Sequence, residues 1–322
     1  MRRLALALVV ALPLALAFIT AAPGGPDLRP IRLLARAGRV KVGTEKQSCF
    51  PVTFPRNQAT DVGHVEMFVH GGSHHVHLYR PVTGPVYYPT KNCPFAIDFS
   101  LWELVTATQN ASLNWQLHPG VGISFSPQQP LLIQAHFVNT GALKVKGHAR
   151  AKIILHPMDP ATVTAHAGAL FAQDRTVVVP PGRTTLSSGC ALTGPASDDR
   201  PMTVMALTGH YHFRGVKFEV WRTLADGTRA DLVYEHEGYD DPEFKQFQPG
   251  ELVLQPGEGF EWVCTWQNDT TDTFDFGPNT QKNEHCNLFG FYYPTGTPQE
   301  AIDCIHLIDA QGKDVNERIL AK

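Results

Sequence analysis

The chain has 322 residues, a formal net charge of -3, 18% charged residues and six cysteines. With no clustered run of Lys and Arg, it is not built to grip phosphates, which argues against nucleic acid or an acidic lipid surface as its partner. An even cysteine count with no CxxC step points to disulfides in an oxidising compartment, and away from a zinc ribbon or a thioredoxin-like centre.

In chain order, Arg2 and Arg3 precede an apolar run over residues 4–19 that only Pro13 breaks, and the small residues Thr20-Ala21-Ala22 follow. That is the pattern of an export signal, assigned to residues 1–22. The run is shorter than the ~20 residues of a spanning helix, and no second run of that length follows. The expectation is an exported protein, periplasmic or secreted, with no stable membrane insertion after signal removal; an uncleaved anchor is the alternative. The remaining residues fit two domains of ~150 each.

Residues 23–44 are rich in Pro, Gly and Arg and read as a flexible N-terminal segment. From residue 45 the pattern is β. Residues 65–69, 76–79, 131–138 and 151–155 are short apolar or alternating runs, separated by turn residues such as Pro81, Gly84, Pro89 and Gly120. Residues 101–108 are the one stretch that reads as a helical turn or two. Pro157 and Pro160 mark a joint, giving a first domain at 45–158 and a linker at 159–165. The β pattern resumes in a second domain at 166–310, with runs at 176–179, 202–207, 216–221, 230–234, 251–254 and 260–266. Asp226-Gly227 is a hairpin signal between two of them. Residues 311–322 read as a polar, peripheral tail. The fold class is all-β, with two tandem antiparallel β-sandwich domains.

Two histidine motifs stand out, Ser73-His74-His75-Val76-His77 and Gly209-His210-Tyr211-His212. Side chains alternate across a strand, so His210 and His212 share a face. By the same rule His75 and His77 share a face, and His74 points away. His74 and His75 can hold one ion together only if the strand bulges or if each uses a different ring nitrogen. Spacing alone therefore favours His75 with His77. Neutral imidazole suits copper and zinc. The competing readings are a polar turn after Gly71-Gly72 for the first motif and two partly buried histidines at a domain edge for the second. His64 and His70 read as structural or solvent-facing. His136 interrupts an apolar strand and alone reads as a satisfied core residue. His285 precedes Cys286, and a bridged Cys286 would tether its backbone.

Taken in order, these motifs resemble the copper type II, ascorbate-dependent monooxygenases, the family of peptidylglycine α-hydroxylating monooxygenase and dopamine β-monooxygenase. His74-His75 and Gln134-Ala135-His136 match the family's first copper site. Gly209-His210-Tyr211-His212-Phe213-Arg214-Gly215 and Asn283-Glu284-His285-Cys286-Asn287-Leu288 match its second, and Pro180-Pro181-Gly182 and the Tyr292-Tyr293 pair agree as well. The resemblance implies jelly-roll-like sandwiches with an inter-domain cleft. It implies one copper held by His74, His75 and His136, with His77 as a neighbour that can bind, and a catalytic copper held by His210, His212 and His285. It implies bridges Cys49–Cys93, Cys190–Cys304 and Cys264–Cys286. It also implies hydroxylation of a C–H bond of a small-molecule or peptide-derived substrate, with O2 and a reductant such as ascorbate.

The chain departs from the family at two places. The family's last ligand is a methionine, and here it is His285, which opens the alternative of a non-catalytic exported copper protein for storage, delivery or electron transfer. The peptide-amidating members hold a substrate carboxylate with an Arg and a Tyr where this chain has Thr208 and Phe289. Beside Asn287, these substitutions favour a neutral or more apolar substrate.

Overall fold

The computed structural model describes residues 25–70, 73–82, 101–139, 149–192, 200–308 and 311–321. Within them the chain is almost entirely strand, with one short 3-10 turn at Pro160–Thr162. No helix among the described residues is long and apolar enough to cross a membrane.

The first sandwich pairs two sheets. One runs β1 (Ile31–Gly38), β9 (Ala149–Pro157), β3 (Thr60–His70), β7 (Val121–Phe125) and β10 (Ala165–His166), with β6 (Ser112–Gln116) also on β3. The other runs β2 (Thr44–Thr53), β8 (Pro130–Asn139), β4 (Ser73–Pro81) and β5 (Trp102–Thr108). The second sandwich has a sheet ordered β17 (Lys245–Gln246), β14 (Met202–His210), β21 (Asn287–Tyr293), β11 (Gly168–Asp174), β22 (Ala301–Ile308) and β23 (Asp314–Ala321). Its partner sheet is β13 (Gly182–Ala191), β19 (Gly259–Asn268), β15 (Gly215–Thr223) and β16 (Arg229–Glu237). β15 and β16 form the hairpin expected around Asp226-Gly227, and Gly227 takes the positive φ that such a turn requires.

The central strands of the two facing sheets are buried on both faces, which fixes where the clustered histidines lie. In β8 the odd positions Leu131, Ile133, Ala135 and Phe137 enter the core of the first sandwich. The even positions Gln134 and His136 are also buried, and His136 and Gln134 stand opposite His75 and His77 of β4. That second face meets the β14–β21–β11 sheet, and Phe171, Met205, Phe289 and Phe291 join the first core. Trp115 closes the seam against Phe291 and Phe244, at ring distances of 4.7 and 5.5 Å. His118 contacts the Phe247 carbonyl at 2.8 Å and the Tyr293 hydroxyl at 3.2 Å.

Three expectations are corrected. Residues 31–38, placed in a flexible segment, form strand β1 on β9, with Ile31, Leu33 and Ala35 buried and Arg32, Leu34 and Arg36 exposed. The arginines occupy the solvent side of an alternating strand. Residues 102–108 are strand β5 and not a helical turn, and every one is buried, so the burial leaves no polar alternation to read. The supposed tail at 311–322 includes β23, which pairs antiparallel with β22. Between the sandwiches Asp159 caps the short turn through its side chain on the Ala161 amide, and residues 165–166 return beside β7.

The disulfides Cys190–Cys304 and Cys264–Cys286 are both formed, with Cα separations of 6.3 and 5.9 Å. Cys49 is also disulfide-bonded, and its expected partner Cys93 lies outside the described residues.

Leu33→Ala should cost about 2–3 kcal/mol in a urea melt if β1 is an integral strand; an unchanged melt would detach it from the core. A second test concerns Asp303 of β22, which is buried at the seam. Burial, reinforced by the Glu103 charge, pushes its carboxyl up to about 8 against the opposing pull of Arg175. Between the ordinary aspartate value and that pH the folded chain keeps a proton that the unfolded chain has lost, so stability falls as pH rises through this window. Asp303→Asn should therefore gain stability relative to the wild type between pH 5 and pH 8, and an equal gap at both pH values would refute the raised carboxyl.

Candidate metal centre

The second histidine motif sits where β14 ends. His210 is the last residue of the strand, and alternation turns Tyr211 the other way, into the second core. Tyr211 stacks on Phe218 with ring centroids 5.7 Å apart, and its hydroxyl donates to the Gly238 carbonyl at 2.5 Å. A Cβ on Gly215 would fall 1.7 Å from the Tyr211 ring, and one on Gly209 would fall 2.5 Å from Phe218. The two glycines that bracket the motif thus make room for the aromatic anchor, and the anchor places His210 and His212 on the opposite side. The Gly215 amide closes the turn on the His212 carbonyl at 2.9 Å.

His285 reaches the same place from the start of β21. Its neighbour Cys286 is tied to β19 by the bridge to Cys264. Its other neighbour, Glu284, is fully buried and accepts from the His212 amide at 3.2 Å, the Arg214 amide at 3.2 Å, the Arg214 guanidinium at 3.1 Å and Trp266 Nε1 at 2.9 Å. Burial raises the Glu284 carboxyl, and the hydrogen bonds from Arg214 and Trp266 oppose that rise. This one carboxylate clamps the turn carrying His212 to the strand start carrying His285.

The three rings converge. One nitrogen from each of His210, His212 and His285 lies within 4.8 Å of the others. The rest of the hydrogen bonding selects the nitrogens. His212 Nδ1 is 3.0 Å from the Asn283 carbonyl, which can only accept, so Nδ1 carries the proton and Nε2 is left to bind. His210 Nδ1 is 2.6 Å from Gln109 Oε1, with the same consequence. His285 packs on Phe276 at 4.9 Å and His212 at 4.2 Å, and its Nδ1 is buried with no hydrogen-bond partner. Burial first, then the neighbouring His212 and His136, holds its pKa well below the usual histidine value, so it is a neutral donor.

The first motif supplies a second group of imidazoles on the facing sheet. The β4–β8 ladder slips between Ser73 and His75, opposite Phe137 and His136. This is the bulge that an adjacent His74-His75 pair requires to share an ion; the His74 side chain lies outside the described residues. His75 and His77 share a face, as spacing indicates, with rings stacked at 4.4 Å, and His75 meets His136 edge-on at 5.2 Å. His136 Nε2 is 3.0 Å from Glu45 Oε2. Burial raises the Glu45 carboxyl, but the hydrogen bonds from His136 and Thr280 outweigh it and leave the group below its ordinary value. Glu45 also accepts from Asn279, so it joins the first sandwich to a loop of the second. His77 has Nδ1 against the Tyr79 hydroxyl at 2.8 Å and a buried Nε2 without a hydrogen-bond partner. Burial holds its pKa down to about 3.

The two groups are contiguous, because the His75 ring lies 5.3 Å from that of His210. Between the sheets the cleft narrows to a cavity of ≈ 90 Å³ lined by His77, His285, Asn287, Phe289, Phe171 and Gln173 among others. That is room for several waters or a small ligand. Thr208 pairs with Phe289 across the β14–β21 ladder, and His210 pairs with Asn287. The Thr208 hydroxyl accepts from Gln109, and Asn287 Oδ1 is buried with no hydrogen-bond partner. Phe289 stands 5.0 Å from His77 and 6.1 Å from His210. Sequence reasoning passed over Gln109, Glu45, Phe171 and Gln173. Only Glu284, adjacent to a ligand candidate, carried any local signal.

Three converging imidazoles with no carboxylate among them fit copper or zinc and do not fit calcium or magnesium.

Residues 166–313 match the model of the copper type II ascorbate-dependent monooxygenase C-terminal domain. No curated protein matches the chain. Among solved structures, a secreted protein from Parabacteroides distasonis is 8% identical over 81% of this chain and 88% of its own, with a TM-score of 0.20. The VP54 protein of PBCV-1, fitted into a reconstruction of the virophage Sputnik, is 7% identical over 85% and 96%, with a TM-score of 0.25. The CUB1-EGF-CUB2 region of human MASP-1/3 is 8% identical over 83% and 100%, with a TM-score of 0.17. At such scores these likenesses bear on neither fold nor function. The matched segment is the second half of the chain, with its His-x-His turn and its bridged Cys286, and that half is similar to the C-terminal domain of the copper type II ascorbate-dependent monooxygenases.

Proposed function

We propose that the protein is an exported copper monooxygenase that hydroxylates a C–H bond of a small neutral or peptide-derived molecule, using O2 and a reductant such as ascorbate. The observation that carries this reading is the convergence of the His210, His212 and His285 nitrogens beside a small cavity, in a segment that matches this family's C-terminal domain. In this reading those three residues hold the catalytic copper, and His74, His75 and His136 hold the second ion, with His77 beside them. Bound copper would supply one-electron chemistry and activation of O2. One oxygen atom enters the C–H bond and the other leaves as water, which consumes two electrons from the reductant and two protons.

The chain's own residues do the positioning. The Glu284 carboxylate and the Asn283 carbonyl hold His212 in place and in one tautomer. Asn287 offers a buried acceptor oxygen to a substrate N–H or O–H, and Phe289 and Phe171, stacked at 4.8 Å, form an apolar wall. Among the described residues no Asp, Glu, Lys or Arg lines the cavity, so a substrate carboxylate there would meet no opposite charge. A neutral substrate suits it. The intact disulfides suit an oxidising compartment, in keeping with export.

His285 favours a second reading, a copper carrier or electron-transfer protein on the same fold. Imidazole binds Cu(II) as well as Cu(I), whereas the thioether of the family pattern prefers Cu(I).

Purified protein should bind two copper ions, and His210→Ala with His212→Ala should remove one of them, as read by metal analysis and EPR. Full occupancy in that variant would sink the ligand assignment. Ascorbate-driven O2 uptake coupled to a hydroxylated product separates the two readings. The enzyme shows it, and His285→Met should change its rate; a carrier binds copper with no coupled product from any neutral substrate screened.

A further inference from the structure

Gln109 follows β5 in the first sandwich, yet its side chain hydrogen-bonds into the second. Its Nε2 donates to the Gly209 carbonyl at 2.6 Å and to Thr208 Oγ1 at 3.3 Å. Both partners accept from the amide NH2, so they fix which way the amide faces. Oε1 is thereby turned to His210 Nδ1 at 2.6 Å. Gln109 and His210 are each more than nine-tenths buried, so no bulk water competes for these bonds. An imidazole that gives one N–H to a fixed acceptor keeps one ring orientation and presents its other nitrogen to a metal.

We propose that Gln109 is a positioning residue for the second metal site, so that this site is complete only when the first sandwich is docked on the second. The inference rests on the metal-site reading above. His212 and His285 are held from within their own sandwich, by Asn283, Glu284 and the Cys264–Cys286 bridge. His210 alone of the three takes its orienting acceptor from across the seam. Its neighbour Tyr211 fixes the backbone, and Gln109 sets the ring tautomer. An amide does this without charge. A carboxylate in the same place would accept from Nδ1 equally well, whereas an alkyl chain of the same length would not.

The full chain, loaded with two copper ions, is titrated with a competing chelator, and the step belonging to the second site is identified from its absence in His212→Ala. In Gln109→Leu that step should shift to roughly 10- to 100-fold weaker binding, with an altered Cu(II) EPR signal and the other step unmoved. Gln109→Glu, which keeps an acceptor opposite Nδ1, should recover most of the loss. Where the Leu variant does not fold, Thr208→Val removes only the hydroxyl that anchors the amide and should give a smaller loss at the same site. An unmoved second step, or an equal loss at both sites that Glu does not restore, overturns the role of Gln109. A wild-type chain that binds no copper overturns the metal-site reading itself.

Discussion

The central strands of two β-sheets in this protein are covered on both faces, and that double burial governs the rest of the molecule. A sheet with one wet face can leave polar side chains in water. The middle sheets here cannot, so each polar group at their seam needs a partner or a ligand. Some seam groups meet that demand within the protein. Arg80 pairs with Glu103, His118 bridges Phe247 and Tyr293, and Gln109 spans to Gly209 and His210. Others stop short of it, since His77 Nε2, His285 Nδ1 and Asn287 Oδ1 are buried and unpartnered around one cavity. Buried polar atoms left open together in this way are the mark of a place kept for something else to bind.

The clustered histidines are held by two unlike devices. Glu284 gathers four donors onto one buried carboxylate and so fixes the relative position of His212 and His285 inside the second sandwich. Such a clamp tolerates little, because removing a partner leaves a charge in a dry interior. Glu45 and Gln109 work across the seam instead. Glu45 links His136 to Asn279 and Thr280, and Gln109 links the end of β5 to His210. Rigidity within one half is thus combined with contacts that exist only while the halves are docked.

The sequence was informative wherever one face of a strand is wet and weak wherever neither is. β3 alternates, with Val65, Met67 and Val69 inward, and could be read at once. β5 is buried at every position, and its seven residues carry no period to distinguish strand from turn. β1 does alternate, but its arginines gave the segment the composition of a flexible leader. For the site, alternation was enough to put His210 with His212 and His75 with His77. The bulge at His74 and the convergence on His285 needed either the resemblance or the fold. Gln109 and Glu45 were beyond reach, because they lie 101 and 91 residues from the histidines they orient and no local pattern marks them.

Position 285 shows why a change of ligand type can be accommodated here. The backbone on one side is fixed by the Cys264–Cys286 bridge and on the other by the Glu284 clamp. Neither depends on the side chain between them. A thioether or an imidazole can therefore occupy the same place without disturbing His210 or His212, and the exchange acts on the metal and not on the fold. Burial keeps the His285 ring neutral, so it competes for the ion and not for protons. If these residues hold copper, as proposed, three nitrogen donors would hold both copper oxidation states more evenly than two nitrogens and a soft sulfur. On the proposed reading, the branch between oxygenase and carrier lies in a single donor atom and in the few side chains that decide what enters the cavity, both set into a scaffold that would serve either.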